Sequence, residues 1–237
     1  AAEAAIMVNK ILSYEAQAKP WTKQVLFVAD DLEGGGGDFY GYSDGIADGY
    51  AKVNGADVKV LPADYTASKV YLGKTCDLSN PASSVQCRGQ IVDKINAGAL
   101  MVSYVGHGTK TYWAAERLYD ATALAQLNNG GRLPIMLPMT CNEGYFVDPA
   151  EASLSEVGIR TEGKGSIATW APTGYGLAPG HDYLERGLFL AVFNDGKPLG
   201  AAATAAKLYL VANAPPDTYR DLIDTFLLLG DPALQVR

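Results

Sequence analysis

A histidine set between two glycines and a cysteine at the end of an apolar run are the residues of this chain best suited to chemistry. His107 ends the segment ALMVSYVGHG (99–108) one residue before Gly108, and Cys141 closes LPIMLPMTC (133–141). The chain has only two histidines in 237 residues, the other being His181. A thiol becomes a strong nucleophile once its proton is removed, and an imidazole can take and return that proton during acyl transfer. Gly108 presents a backbone N–H unshielded by a side chain, which with the N–H of Cys141 would hold the oxyanion of a tetrahedral intermediate. Each residue alone also has a plainer reading, as a small core thiol and as a satisfied polar residue at a strand end. Zinc is disfavoured, because the chain offers few characteristic ligands and no Cys-x-x-Cys or His-Glu-x-x-His motif.

Two such residues cooperate only if the elements between them bring them together. ALMVSYV reads as a buried strand, ATALAQLNNG (121–130) as a helix and LPIMLPMT as a second apolar run, although Pro134 and Pro138 are awkward in a central strand. The unit 99–141 is therefore β-α-β, and a right-handed crossover sets its strands parallel, as neighbours in one sheet. His107 and Cys141 then face one crevice at the carboxyl edge, where open α/β sheets bind ligands.

The rest of the chain repeats the theme. Ile6 to Gln17 reads as a helix, VLFVAD (25–30) as a strand, and SDGIADGYAKVNG (43–55) as a helix with Ser43 as cap and Gly55 as stop. ADVKVL follows as a strand, GQIVDKINAG as a helix closed by Gly98, SLSEVGIRT as a helix and GSIATWA as a strand. HDYLERGLFLAVF, LGAAATAAKLYLVANA and TYRDLIDTFLLL make the last third mostly helical. EGGGGD (33–38) is a flexible loop that lacks the Lys-Ser/Thr ending of a phosphate-binding loop. The pattern predicts an α/β fold, a mainly parallel sheet flanked by helices, as a single domain over 1–237.

Composition narrows the function class. Hydrophobic residues make up 48% and charged residues 19%, as in soluble globular proteins, and a net charge of −7 argues against nucleic acid as the main partner. No apolar run reaches the roughly 18–20 residues that span a bilayer. AAEAAIMVNKILSYE lacks the pattern of a signal peptide, so an exported form would already have lost one. Cys76 and Cys87 share the polar stretch KTCDLSNPASSVQCRGQ, which suggests a local disulfide and an oxidising compartment, with two free surface thiols as the alternative.

These residues also resemble the gingipain family of cysteine peptidases, which have a caspase-like three-layer fold. YVGHGTKTYWAAE is similar to the family's histidine block, LPIMLPMTCNEGYF to its cysteine block, GSIATWAPTGYG to the strand and loop that follow, and DTFLLLGDPALQVR to its closing Gly-Asp-Pro segment. VNKILSYE resembles the helix that opens the catalytic subdomain. The resemblance implies Cys141 as nucleophile, His107 as its acid–base partner and Gly108 as an oxyanion donor. It implies an acid orienting the imidazole, Asp31 in preference to Asp30, and an S1 carboxylate at Asp38, with Asp44 as rival. Trp113 and Tyr175 would line the substrate site, Tyr175 in a loop that lacks the family's lid tryptophan, while His181 would be exposed and non-catalytic. The chemistry needs no cofactor. Calcium sites occur in the family, and Asp30, Asp31, Glu33 and Asp38 have suitable oxygens, though no EF-hand spacing is present.

The function so implied is a secreted or cell-surface cysteine endopeptidase cleaving peptides or proteins after a basic residue. The family's smaller N-terminal subdomain and its immunoglobulin-like domain have no counterpart in this sequence. The alternatives are an inactive binding or surface protein on the same fold, and a transpeptidase using the same acyl-enzyme.

Overall fold

The computed structural model describes residues 2–17, 19–32, 34–76 and 83–236. Helix α1 (Ala2–Ala16) leads into strand β1 (Gln24–Ala29), then helix α2 (Phe39–Ala47), the hairpin β2 (Tyr50–Val53) and β3 (Ala56–Lys59), and strand β4 (Thr66–Tyr71). Helix α3 (Ser83–Ala97) and strand β5 (Met101–Val105) follow, then a short hairpin, β6 (Tyr112–Trp113) and β7 (Tyr119–Asp120), and helix α4 (Ala121–Gln126). The second half runs through β8 (Ile135–Met139), α5 (Leu154–Arg160), β9 (Ala168–Pro172), α6 (Ala178–Phe193), α7 (Leu199–Asn213), α8 (Asp221–Thr225) and β10 (Phe226–Leu229).

One sheet collects strands from both ends of the chain in the order β10-β9-β8-β5-β1-β4, and only β10 runs antiparallel to its neighbour. Alternation along the strands sends Phe27, Met101, Val105, Leu137 and Met139 to one face, where α2, α6 and α7 cover them. Leu26, Val28, Val102, Tyr104 and Met136 point the other way, under α3 and α4. Helices on both faces make the three layers of a caspase-like α/β fold. Among the described residues no helix is long and apolar enough to cross a membrane.

Pro138 is tolerated because of where its missing N–H would point. The Ile135 N–H bonds toward β5, to the Leu100 carbonyl, so alternation aims position 138 toward β9. Pairing of β8 with β9 covers only Ile135 and Met136, so no ladder bond is lost there.

Two local readings are corrected and one strand is added. Residues 43–55 are not one helix: α2 ends at Ala47, is capped by Asp38 rather than Ser43, and gives way to the β2–β3 hairpin. The turn is Asn54-Gly55, both at positive φ (50° and 83°), the geometry that matches strand twist in a tight hairpin and that Asn-Gly adopts readily. The closing FLLL is β10 rather than the end of a helix, because it pairs with β9 at the sheet edge. Strand β4 has no apolar run to announce it, since an edge strand is buried only at its last residues, Val70 and Tyr71.

A disulfide joins Cys76, just after β4, to Cys87 on α3, with Cα atoms 5.6 Å apart. Replacing both with serine should lower folding stability by about 2–4 kcal/mol, read by chemical denaturation, because the unfolded chain regains the freedom of the opened loop. The rate at which Cys141 is alkylated per folded molecule should be unchanged, since the bridge lies at the β4 side of the sheet.

Candidate active site

β5 continues as Gly106-His107-Gly108 and β8 as Thr140-Cys141. The two strands are adjacent and parallel, and their register pairs Val105 with Met139. Past that pair the chains stay close: the Gly106 N–H reaches the Met139 carbonyl at 3.4 Å. A Cβ on Gly108 would lie 2.5 Å from Thr140 Oγ1 and 3.2 Å from Thr140 Cγ2, and Thr140 is fully buried. Only glycine allows this approach, which brings the residues next to His107 and Cys141 into contact. Cys141 is the free cysteine, half-buried, with Sγ 3.7 Å from the Gly176 carbonyl.

Immediately after the cysteine, Asn142 takes a positive φ of 59° and turns the chain away from the strand direction. Its N–H donates to the Gly174 carbonyl (2.9 Å), and the Gly144 N–H donates to Pro172 (2.8 Å), so the loop after β9 holds the turn. The N–H of His107 is bonded to Asp30, that of Thr109 to Tyr112 and that of Asn142 to Gly174. The N–H groups of Gly108 and Cys141 lie between these anchored neighbours.

The imidazole of His107 is exposed and packs edge-on against Phe39, with ring centroids 5.3 Å apart. Its Nε2 lies 3.0 Å from the Gly35 carbonyl. Donation to that carbonyl assigns the proton to Nε2 and leaves Nδ1 as the accepting nitrogen. Gly34 to Gly37 all have positive φ, between 76° and 134°, and a Cβ on Gly36 would press on the ring at 3.1 Å. Gly34 to Gly37 thus form a cradle for the imidazole and not merely a flexible loop, and the signal in the sequence was a glycine run a few residues past a strand.

The acid that grips this histidine is Asp30, and it does so through the main chain. Asp30 is buried and accepts the N–H groups of His107 (3.0 Å) and Asp31 (2.9 Å). Burial raises its carboxyl to about 6, against the pull of those hydrogen bonds and with the charges of Asp31 and Glu116 adding to the rise. Asp31 lies buried beside it. Asp30, Asp31 and Glu116 bring one carboxylate oxygen each within 4.8 Å of the others. Asp38 takes no part in this cluster, and Glu33 lies outside the described residues.

Trp113 does not line a substrate site. It is fully buried, stacked on Tyr104 at 4.5 Å and packed against Tyr119 at 4.8 Å, so no face remains for a ligand. Its Nε1–H donates instead to Glu143 Oε2 (3.1 Å), whose Oε1 accepts from Ser155 Oγ (3.0 Å). A tryptophan six residues past His107 and a glutamate two past Cys141 therefore strap the two blocks together. The sequence reading missed Glu143, because a glutamate in a loop reads as solvated.

Burial raises the Glu143 carboxyl to about 7, against its two hydrogen bonds. A carboxyl with a folded value above its unfolded one, about 4.3, binds more protons folded than unfolded between the two. Its contribution to stability is therefore lost as pH rises through that window. A Glu143→Gln chain should gain stability relative to wild type between pH 4 and pH 8, by up to about 3 kcal/mol in paired denaturation curves.

On the substrate side Asp38 is exposed, caps α2 by accepting the Gly41 N–H (2.9 Å), and directly precedes the Phe39 that supports His107. Asp44, its rival, does not fit an S1 role. Lys69 (2.5 Å), Lys74 (3.4 Å) and the Tyr71 hydroxyl (2.8 Å) already hold its carboxylate. Tyr175 is 79% exposed and lines a cleft of about 400 Å³ beside the cysteine turn, together with Asn142, Tyr145, Lys110 and Asp148. His181 is not exposed: α6 buries it to 2%, under the loop after β9.

The whole chain, residues 1–237, matches the model of peptidase family C25. Gingipain R2 of Porphyromonas gingivalis is 28% identical over 157 residues, which is 62% of this chain and 21% of that protein. Gingipain R1 of the same organism is also 28% identical, with 62% and 15% covered. Among solved structures, the Arg-specific cysteine proteinase gingipain R superposes with a TM-score of 0.78 at 21% identity, over 99% of this chain and 52% of that one. The complex of RgpB pro- and mature domains gives 0.77 at 20% identity, covering 98% and 53%. The present chain thus spans about half of those solved chains and a smaller share of the curated relatives. With its histidine and cysteine blocks on neighbouring strands of a caspase-like sheet, and the family model matched from end to end, the chain belongs to peptidase family C25.

Proposed function

We propose that this chain is a cysteine endopeptidase in which Cys141 attacks the scissile carbonyl. The observation that carries the reading is the close approach of the two strand ends, with Gly108 against Thr140, next to the only free cysteine. His107 takes the thiol proton as Sγ adds to the carbonyl carbon, then returns it to the departing amine. Water attacks the thioester and releases the second product, restoring the thiol. The N–H groups of Gly108 and Cys141 would meet the oxyanion, and the Gly35 carbonyl and Phe39 hold the imidazole for the transfer. The nucleophile, the base and the oxyanion donors of this scheme belong to the chain and the only other reactants are the peptide and water, so the scheme draws on no cofactor.

Asp38 would receive a basic P1 side chain, a preference in keeping with the Arg-specific relative. The Cys76–Cys87 bridge supports export to an oxidising compartment, outside the cell or at its surface. This chain covers only part of its relatives, which supports a longer functional assembly; that it includes an N-terminal subdomain and an immunoglobulin-like domain is what the family resemblance implies. The test is a set of fluorogenic peptides with Arg, Lys, Asp, Asn or Leu at P1, assayed before and after alkylation of Cys141. Turnover of the Arg or Lys peptides that disappears on alkylation supports the reading. Turnover of another P1 removes Asp38 from the S1 role. A folded chain with no turnover and no labelling of Cys141 would favour a binding protein on a peptidase fold.

A further inference from the structure

Glu143 is a buried carboxyl that the reaction scheme does not use, and it joins the two segments that supply the oxyanion donors. It stands two residues past Cys141 in a tight turn, closed by the Tyr145 N–H on the Asn142 carbonyl at 3.0 Å. The turn leans on β9: the Gly144 N–H bonds Pro172, and a Cβ on Gly144 would lie 3.0 Å from Ala171 Cβ. From there the Glu143 side chain enters the core, and both of its oxygens are taken. Oε2 accepts from Trp113 Nε1–H at 3.1 Å, and Oε1 accepts from Ser155 Oγ at 3.0 Å.

Trp113 belongs to the segment that shapes the other donor. It pairs antiparallel with Gly108, between the bonds from Thr109 N–H to the Tyr112 carbonyl and from Ala114 N–H to the His107 carbonyl, both 2.9 Å. In a pair flanked by hydrogen bonds in this way, the N–H of Gly108 points away from its partner. The hairpin therefore fixes both sides of Gly108 and leaves its N–H to a ligand. Helix α5 completes the junction, because the Leu154 N–H bonds the Lys110 carbonyl at 2.8 Å and brings Ser155 up to the carboxyl.

We propose that Glu143 is a positioning residue for the peptidase reaction, its carboxyl fixing the Cys141 turn against the Trp113 hairpin so that the N–H groups of Gly108 and Cys141 converge on one oxyanion. This rests on the reading of Cys141 as nucleophile.

The chemistry of the junction favours direction over filling. Burying a carboxyl is penalised by lost hydration, and an apolar side chain of similar size avoids that penalty. Apolar packing lets segments slide, whereas two hydrogen bonds to one carboxyl hold the turn, the hairpin and α5 in a single register. The contacts also survive protonation: a protonated oxygen donates to Ser155 Oγ while the other still accepts from Trp113. Glutamine offers the same donor and acceptor in the same places.

The test compares wild type with Glu143→Met and Trp113→Phe, which break the contact from opposite sides, with the double variant, and with Glu143→Gln, which keeps it. The readouts are kcat and KM on whichever P1 peptide the wild type cleaves, and the rate of Cys141 alkylation by iodoacetamide, all per folded molecule. The oxyanion forms only on the way to the tetrahedral intermediate, so the Met and Phe chains should lose about 10- to 100-fold in kcat with KM within about twofold. Alkylation needs the thiolate and no oxyanion donor, so it should stay within about threefold of wild type. The double variant should be no slower than the slower single one, and the Gln chain should keep most of the wild-type kcat.

Met or Phe chains that fold and match wild type in kcat would overturn the proposal, including chains that merely melt at a lower temperature. A Gln chain as impaired as the Met chain would overturn it too. Alkylation slowed as much as kcat would place the defect in the thiol and imidazole and refute the oxyanion role. A wild type that cleaves no peptide fails the peptidase reading itself, a result separate from those of the variants, and takes this proposal with it. One folded chain of the two that break the contact is enough for the comparison.

Discussion

Cys141→Ala is expected to abolish peptide cleavage, with a fall in kcat of at least about 10⁴-fold, and His107→Ala to lower it by about 10³- to 10⁴-fold. The two losses should not add: the double variant should be no slower than Cys141→Ala alone. A nucleophile without its base and a base without its nucleophile are both defective in the same step, whereas independent contributions would multiply. Neither change should unsettle the fold, because His107 is exposed and Cys141 half-buried, with Sγ 3.7 Å from the Gly176 carbonyl. Wild-type melting curves beside collapsed kcat values would therefore localise the effect to chemistry. Initial rates on the peptide that the wild type cleaves best, per mole of folded protein, are the measurement. A His107→Ala chain that keeps a tenth of wild-type kcat would remove the histidine from the mechanism.

A large effect on stability should also come from Lys10→Met, far from the reactive pair. Lys10 lies on α1 and is only 8% exposed. Its Nζ donates to the carbonyls of Gly158 (3.1 Å), Ile159 (3.1 Å), Thr161 (3.2 Å) and Lys164 (2.9 Å). These carbonyls lie at the C-terminal end of α5 and just beyond, where the helix has no N–H groups left to offer them. One ammonium thus caps a helix and fastens α1 to the body of the protein. Methionine keeps the length of the side chain and loses every donor, so a loss of about 3 kcal/mol is expected, or roughly 6–12 °C in melting temperature. Denaturant titration at pH 7, where Lys10 is charged even though burial lowers it to about 8, is the check. Because α5 also carries the Ser155 that bonds Glu143, the variant should show a smaller secondary loss of activity. A stability loss below about 1 kcal/mol would mean that water from the adjoining cavity of about 310 Å³, lined by Lys10, Tyr14 and Glu162, replaces the ammonium.

The parts of this molecule legible in the sequence are those fixed by local chemistry and chain order. Apolar runs ending in Asp30, His107 and Cys141 marked β1, β5 and β8, since a strand buried on both faces must be continuously apolar. The single helix-length crossover between the last two made them parallel neighbours, and so put histidine and cysteine at one edge. Gly108 read as an unshielded N–H, and the structure adds that the same glycine lets Thr140 approach.

What only the tertiary structure decided are the contacts between segments distant in sequence, where a side chain's environment is made by its neighbours in space. His181 reads as an exposed loop histidine, yet it is buried because α6 begins beneath the Gly176 loop. Trp113 reads as a surface aromatic near a catalytic block, yet Tyr104, Tyr119 and Glu143 enclose it. The resemblance favoured Asp31 over Asp30 as the acid beside His107, but it is Asp30 that bonds the histidine. The strand end aims Asp30 at the N–H of His107, because side chains alternate as a strand leaves the sheet. Lys10 on α1 and the carbonyls beyond α5 are about 150 residues apart, a distance over which periodicity and propensity carry no information. Local pattern determined which residues can react. Packing determined what holds them in place.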